Sequence, residues 1–210
     1  MTGTTKIMNE KNGMMIVISG PSGAGKGTVA KILTESADYA LSVSVTTRQP
    51  RPGEVDGRDY FFCGEDEFLK RRDNGEMLEC AQYGGNYYGT PKTYVERQIE
   101  AGKIVILEID VAGALQVREK FRESVLIFII PPTKKELEKR LVNRKTQTAA
   151  SIQERLAITE REISYIGKYD YLVVNDIASK SAEKIRTIVA AEKLRPFRNH
   201  ETIKHFKGEI

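Results

Sequence analysis

The amino-acid sequence predicts an α/β fold: a parallel sheet flanked by helices, with a small mixed β insertion and a helical lid. Three observations carry this prediction. Short apolar runs without alternation recur along the chain, helical patterns fall between them, and two stretches, 41–95 and 137–166, break that rhythm. Strands alternating with helices run parallel, because each helical crossover returns the chain to the same end of the sheet.

The run Met14-Met15-Ile16-Val17-Ile18-Ser19 lacks the alternation of a half-exposed strand and suits burial on both faces. A glycine-rich turn follows, and a helical pattern begins over Thr28–Leu33. Further buried strands are expected at Ile104–Ile109, Val125–Ile130 and Tyr171–Val174. Helices are expected over Gly113–Phe121, Lys134–Val142 and Ala178–Lys193. Residues 41–95 are rich in Gly, Tyr and Arg, with short alternating segments at Leu41–Thr46, Tyr60–Cys63 and Met77–Tyr83, and read as the mixed β insertion. Residues 137–166 are mostly polar and carry Arg140, Arg144, Arg155 and Arg161; with few apolar anchors, they read as a mobile lid. This gives one domain over 14–200, with its core at 14–40, 96–136 and 167–200, and flexible tails at 1–13 and 201–210.

Composition narrows the function classes. The chain has 210 residues, 40% hydrophobic and 30% charged, in the range of a soluble globular domain. No apolar run approaches the ~18 residues of a membrane helix, and Met1–Gly13 lacks the apolar stretch of a secretory leader. Cys63 and Cys80 form no metal-ligand or CxxC spacing and read as ordinary thiols of a reducing cytoplasm. The two histidines, His200 and His205, lie near the C-terminus, which argues against a histidine base or a His-ligated metal. A net charge of +4 suits small anions as readily as nucleic acid. No aromatic RNP pattern or dense basic stripe appears, so no nucleic-acid partner is expected.

The turn after the first strand reads Gly20-Pro21-Ser22-Gly23-Ala24-Gly25-Lys26-Gly27-Thr28. Its glycines let successive backbone N–H groups converge on a phosphate, and the following helix adds a positive dipole end. A lysine at a helix N-terminus is unfavourable unless an anion is present. Lys26 is therefore expected at the β- and γ-phosphates of a nucleotide, in a P-loop NTPase-type sheet. The usual Ser or Thr after the lysine is replaced by Gly27, and Thr28 follows one residue later, as in the GKGT of adenylate kinases. A direct hydroxyl ligand to Mg²⁺ is thus open, with Thr28 or bound water as candidates.

A second anion site is legible in Arg48 and Arg51, three apart and framed by prolines and glycines, which can present guanidinium forks to one phosphate. Further on come Glu79 and then Gly85-Asn86-Tyr87-Tyr88-Gly89-Thr90. Two phosphorylated ligands imply a nucleoside monophosphate kinase.

At these residues the chain resembles the guanylate kinase family, from about Met15 to Phe197. GPSGxGK, TTRxPRxGExxGxDYxF and GNYYGT occur in family order. The resemblance implies transfer of the γ-phosphoryl group of ATP, with Mg²⁺, to GMP and dGMP. It implies that Arg48, Arg51, Tyr60 and Tyr88 hold the GMP phosphate, and that Ser44, Glu79 and Thr90 read the guanine. Asp110 would lie near the base and active centre. Arg140, Arg144 and Arg155 would be lid and phosphate arginines, and Asn175 an adenine-side contact. Where the family commonly has glutamine, this chain has Ala112. Two alternatives stay open: a non-catalytic guanylate-kinase-like binding module, and a related P-loop kinase with another phosphorylated acceptor.

Overall fold

The structure, a computed structural model, describes residues 13–142 and 157–209. In chain order the elements begin β1 (Met14–Ser19), α1 (Lys26–Leu33), β2 (Tyr39–Leu41), β3 (Val45–Thr46), β4 (Phe61–Phe62), α2 (Glu65–Asp73), β5 (Met77–Tyr83) and β6 (Asn86–Pro91). There follow α3 (Lys92–Glu100), β7 (Ile104–Glu108), α4 (Val111–Lys120), β8 (Val125–Ile130) and α5 (Lys134–Val142). The chain then forms α6 (157–163), β9 (Tyr171–Val174), α7 (Ala178–Lys193) and α8 (His200–Lys207).

Five strands form one sheet in the order β2-β7-β1-β8-β9, and every neighbouring pair is parallel. Strand alternation divides its side chains between two cores. Ile16, Ile18, Ile106, Ile127 and Ile129 face Val29, Leu33, Ile185 and Val189 of α1 and α7. Val17, Val105, Leu107 and Leu126 face Val95, Ala114 and Val117 of α3 and α4. Full burial of one such side chain contributes about 1.5–3 kcal/mol, so the central strands are held from both sides. This is why β1 and β8 coincide with the apolar runs of the sequence; β9, expected to be buried, lies at the sheet edge and buries only Val173, leaving Leu172 and Val174 exposed.

The inserted sheet has the order β4-β3-β6-β5. It is mixed: β3 pairs parallel with β4 and antiparallel with β6. Its buried cluster is small, with Val45, Phe68 and Met77 flanked by Phe61, Cys63, Cys80 and Tyr87.

The segment Leu41–Thr46 is not one strand of the insertion. Leu41 ends β2 on the parallel sheet, where Tyr39–Leu41 pairs with Ile104–Ile106, and β3 begins at Val45. Helix α4 begins at Val111, ahead of the expected Gly113, because Asp110 caps it by accepting from the Gly113 N–H. Residues His200–Lys207, read from sequence as part of a tail, form a helix with no buried side chain. No helix among the described residues is long and apolar enough to cross a membrane.

Candidate functional site

The phosphate loop lies where β1 meets α1, at the C-terminal edge of the parallel sheet, the usual ligand edge of open α/β sheets. Gly25 takes φ 90°, a left-handed conformation that favours glycine, and its Cα faces the Asn175 amide too closely for a side chain. Helix α1 has no side-chain cap and no acidic residue in its first turn. Its first N–H groups and positive end therefore face the loop. Lys26 folds back over this loop, donating from Nζ to the carbonyls of Gly20 (2.6 Å) and Pro21 (3.3 Å). That position hangs an ammonium over the cradle of N–H groups.

Asn175 is placed differently from the adenine-side contact expected of it. It is 3% exposed; Nδ2 donates to the Ala24 carbonyl (2.7 Å), and Oδ1 accepts from the Ser181 hydroxyl (2.9 Å). Both ends of the amide are occupied within the protein, so the side chain braces the loop. Helix α5 covers the loop from another side, with Leu137 and Leu141 against Gly23. On the same helix, Arg140 is held by Glu136 (2.9 Å) and by the Asn175 carbonyl (3.2 Å). Arg144 and Arg155 lie outside the described residues.

A cleft of about 450 Å³ opens above the loop, lined also by Thr28, Glu108, Asp110 and Glu162. At Gly27 a Cβ would stand 3.3 Å from a carboxylate oxygen of the exposed Glu108, a contact that a small shift of that side chain relieves. Burial raises the Glu162 pKa, and Lys26 opposes that shift. Glu162 was not anticipated, and one acid in a polar helix gives no signal in sequence.

Beside this cleft, the mixed sheet and the start of α4 bring a second set together. Glu79 is 4% exposed, and its Oε1 accepts from the Thr90 hydroxyl at 2.7 Å. Its Oε2 lies 2.9 Å from where a Cβ on Gly113 would stand, and Asp110 Oδ1 lies 3.3 Å from the same point. Desolvation pushes the Glu79 carboxyl up to about 7; Asp110 adds to this, and the Thr90 hydrogen bond opposes it. Thr90 engages Glu79 through both its hydroxyl and its backbone N–H, and the carboxylate's remaining lone pairs suit a base edge with two adjacent N–H groups. Ser44 is half-buried at the entry to β3, its carbonyl accepting from Phe61 N–H at 2.9 Å.

Arg48 is fixed by Glu54, whose two oxygens accept from Nη2 at 2.9 and 3.0 Å. The guanidinium stands over Tyr60 at 5.3 Å from the ring centre, and Tyr60 meets Tyr88 edge-on at 6.1 Å. Glu54 also accepts from the Arg51 N–H at 2.7 Å. The bond to Arg48, then that to Arg51, holds the Glu54 carboxyl below its usual range. One carboxylate thus sets the turn that carries both arginines. Arg48, Tyr60 and Tyr88 form one group; Arg51 is exposed on the same turn.

The family model described as guanylate kinase matches residues 12–192. A guanylate kinase of Caldanaerobacter subterraneus subsp. tengcongensis is 50% identical over 193 residues, covering 91% of this chain and 94% of that one. A guanylate kinase of Lactococcus lactis is 49% identical over 201 residues, covering 95% and 98%. Among solved structures, guanylate kinase from Anaplasma phagocytophilum superposes with a TM-score of 0.76 at 36% identity, covering 93% of this chain and 96% of that one.

Proposed function

The chain belongs to the guanylate kinase family, an enzyme family of ATP:GMP phosphotransferases, and we propose how its residues divide that work. The phosphate loop and Lys26 take the phosphates of ATP. Arg48, Arg51, Tyr60 and Tyr88 take the phosphate of GMP, and Glu79, Thr90 and Ser44 take its base. Asp110, between the two, belongs to the active centre. Asn175 serves the ATP side by bracing the loop at Ala24. Arg140, Arg144 and Arg155 act as lid arginines on the transferred group.

The chemistry asks for no general base. The second pKa of a phosphate monoester is near ~6, so the acceptor is mostly dianionic at neutral pH. A GMP phosphate oxygen bonds to the γ-phosphorus, the bond to the β–γ bridging oxygen breaks, and its electron pair leaves on ADP. The barrier is the meeting of two polyanions, and Lys26 and the arginines lower it by neutralising the equatorial oxygens. Mg²⁺ bound with ATP would supply further neutralising charge to the phosphates, with Thr28 as the residue that would hold it through water. The donor set fits a metal held by phosphates and water. Thr28, Glu108 and Asp110 line the cleft, but among the described residues no group of three or more His, Cys, Asp or Glu side chains is arranged to hold a metal. The same reading places the enzyme in the cytoplasm with ATP and GMP as its partners, dGMP serving as a second acceptor.

The observation that carries this reading is the buried Glu79 carboxylate, oriented by Thr90 and set beside a phosphate loop. An ADP-release assay offering GMP, AMP, CMP and UMP tests it. Turnover is expected with GMP alone, and Glu79→Ala should cut the GMP preference by on the order of 10² or more. Equal use of AMP by the unaltered enzyme would refute the assignment.

A further inference from the structure

Strand β5 carries Glu79, and it is irregular where it does so. The β5–β6 register slips between Met77 and Cys80, and Glu79 lies inside the slip. A bulge takes backbone groups out of the ladder and re-aims a side chain. It also lies on the edge strand of the mixed sheet, with no further strand to hold it.

Helix α4 takes the place of that strand. Gln116 Nε2 donates to the Cys80 carbonyl at 2.9 Å, and the Cys80 N–H donates to Gln116 Oε1 at 3.1 Å. One carboxamide thus makes both bonds that a neighbouring strand would make at that residue. Lys120 Nζ donates to the Leu78 carbonyl at 3.0 Å. The three bonds bracket Glu79 on either side. They come from the helix that Asp110 caps, along a face running Asp110, Gly113, Gln116, Lys120 at steps of three or four residues.

We propose that Gln116 is a positioning residue for acceptor selectivity: it locks the bulge so that the Glu79 carboxylate meets the guanine edge. The proposal rests on Glu79 being the guanine reader. Lys120 assists from one residue before the bulge, and Gln116 does the larger part because it holds both a donor and an acceptor.

The test is steady-state kinetics on the full-length chain, with GMP and with IMP, which lacks the 2-amino group. The variants are Gln116→Met, Glu79→Gln and the double mutant, each with its melting temperature. Gln116→Met should raise the KM for GMP about tenfold, the scale of losing one or two hydrogen bonds. It should narrow the preference for GMP over IMP and leave the KM for ATP nearly unchanged. In the Glu79→Gln background the same substitution should add little. An equal loss in both backgrounds, or an equal loss for ATP and GMP, would make Gln116 merely structural and overturn the proposal. If Glu79→Gln itself leaves the GMP preference intact, the guanine-reader assignment fails, and the proposal with it. If Glu79→Gln acts and Gln116→Met does not, only the role of Gln116 fails.

Discussion

In the parallel sheet, Ile16, Val17 and Ile18 are fully buried, and apolar packing on both faces holds each central strand. In the mixed sheet, the buried apolar cluster is only Val45, Phe68 and Met77, and polar side chains hold much of the rest. Thr46 and Thr47 bond the backbone of Tyr87 at 2.9 Å each, Asp56 accepts from Phe62 N–H, and Glu54 secures the arginine turn. Hydrophobic packing is non-directional and tolerant, whereas a hydrogen bond is lost outright when one partner goes. The donor half is thus built for constancy. The acceptor half is built for a specific shape that single polar changes can undo, and its thin core gives it the lower local stability.

The largest effect should come from the robust half. Lys26→Ala is expected to lower kcat by on the order of 10³ or more, as loss of a transition-state charge does, with the melting temperature little changed. A large drop in melting temperature would show that Lys26 is structural.

Packing in that half is broken by Ile106→Ala, expected to cost about 2–5 kcal/mol in chemical denaturation, with the KM values for ATP and GMP both nearly unchanged in the protein that remains folded.

The acceptor half should respond to pH in a way the donor half does not. Glu79 holds its proton to about 7 when folded, against an ordinary value of 4.5. The ligand-free protein should therefore lose stability as pH rises from about 4.5 to about 7, since the unfolded chain gives up that proton first. GMP needs the ionised form, so its KM should rise as pH falls below about 7. Glu79→Gln should flatten that rise and raise the melting temperature at pH 8. An unchanged pH profile in this variant would assign the titration to the GMP phosphate instead.

Smaller still, Phe68→Leu, in the thin core, should cost on the order of 1 kcal/mol and raise the KM for GMP more than that for ATP. Equal shifts in the two constants would mean the halves are more tightly joined than their cores imply. Gly27→Ser should do least: the Glu108 carboxylate shifts slightly, and the restored hydroxyl after Lys26 should leave the Mg²⁺ requirement equal or lower; a severalfold rise would show that the space at Gly27 is needed.

Much of the fold was legible because burial on both faces writes continuous apolar runs. The strands β1 and β8 and helix α7 match their sequence segments residue for residue; β9 also keeps its expected bounds, although it buries only Val173. What escaped was held by something other than a hydrophobic pattern. Helix α2 buries only Phe68 and α3 only Val95, too little to mark a helical face, while β3 and β4 are two-residue pieces inside the longer segments expected at Leu41–Thr46 and Tyr60–Cys63. Within the site, residue types pointed to the loop and the arginine turn, and the family resemblance pointed to Glu79. Asn175 was read as a ligand contact because sequence does not show that its amide reaches Ala24. Gln116 looked like any polar residue on a helix surface, because its partner lies 36 positions away.

The tie from Asn175 to Ala24 spans 151 positions, and β1 sits in mid-sheet between strands that are made much later. During synthesis the glycine loop leaves the ribosome early but has no brace until β9 and Ser181 have followed. A nascent chain ending before Asn175 should therefore retain ATP poorly, although every loop residue is already present. Nucleotide capture then becomes a report that β9 and α7 are in place.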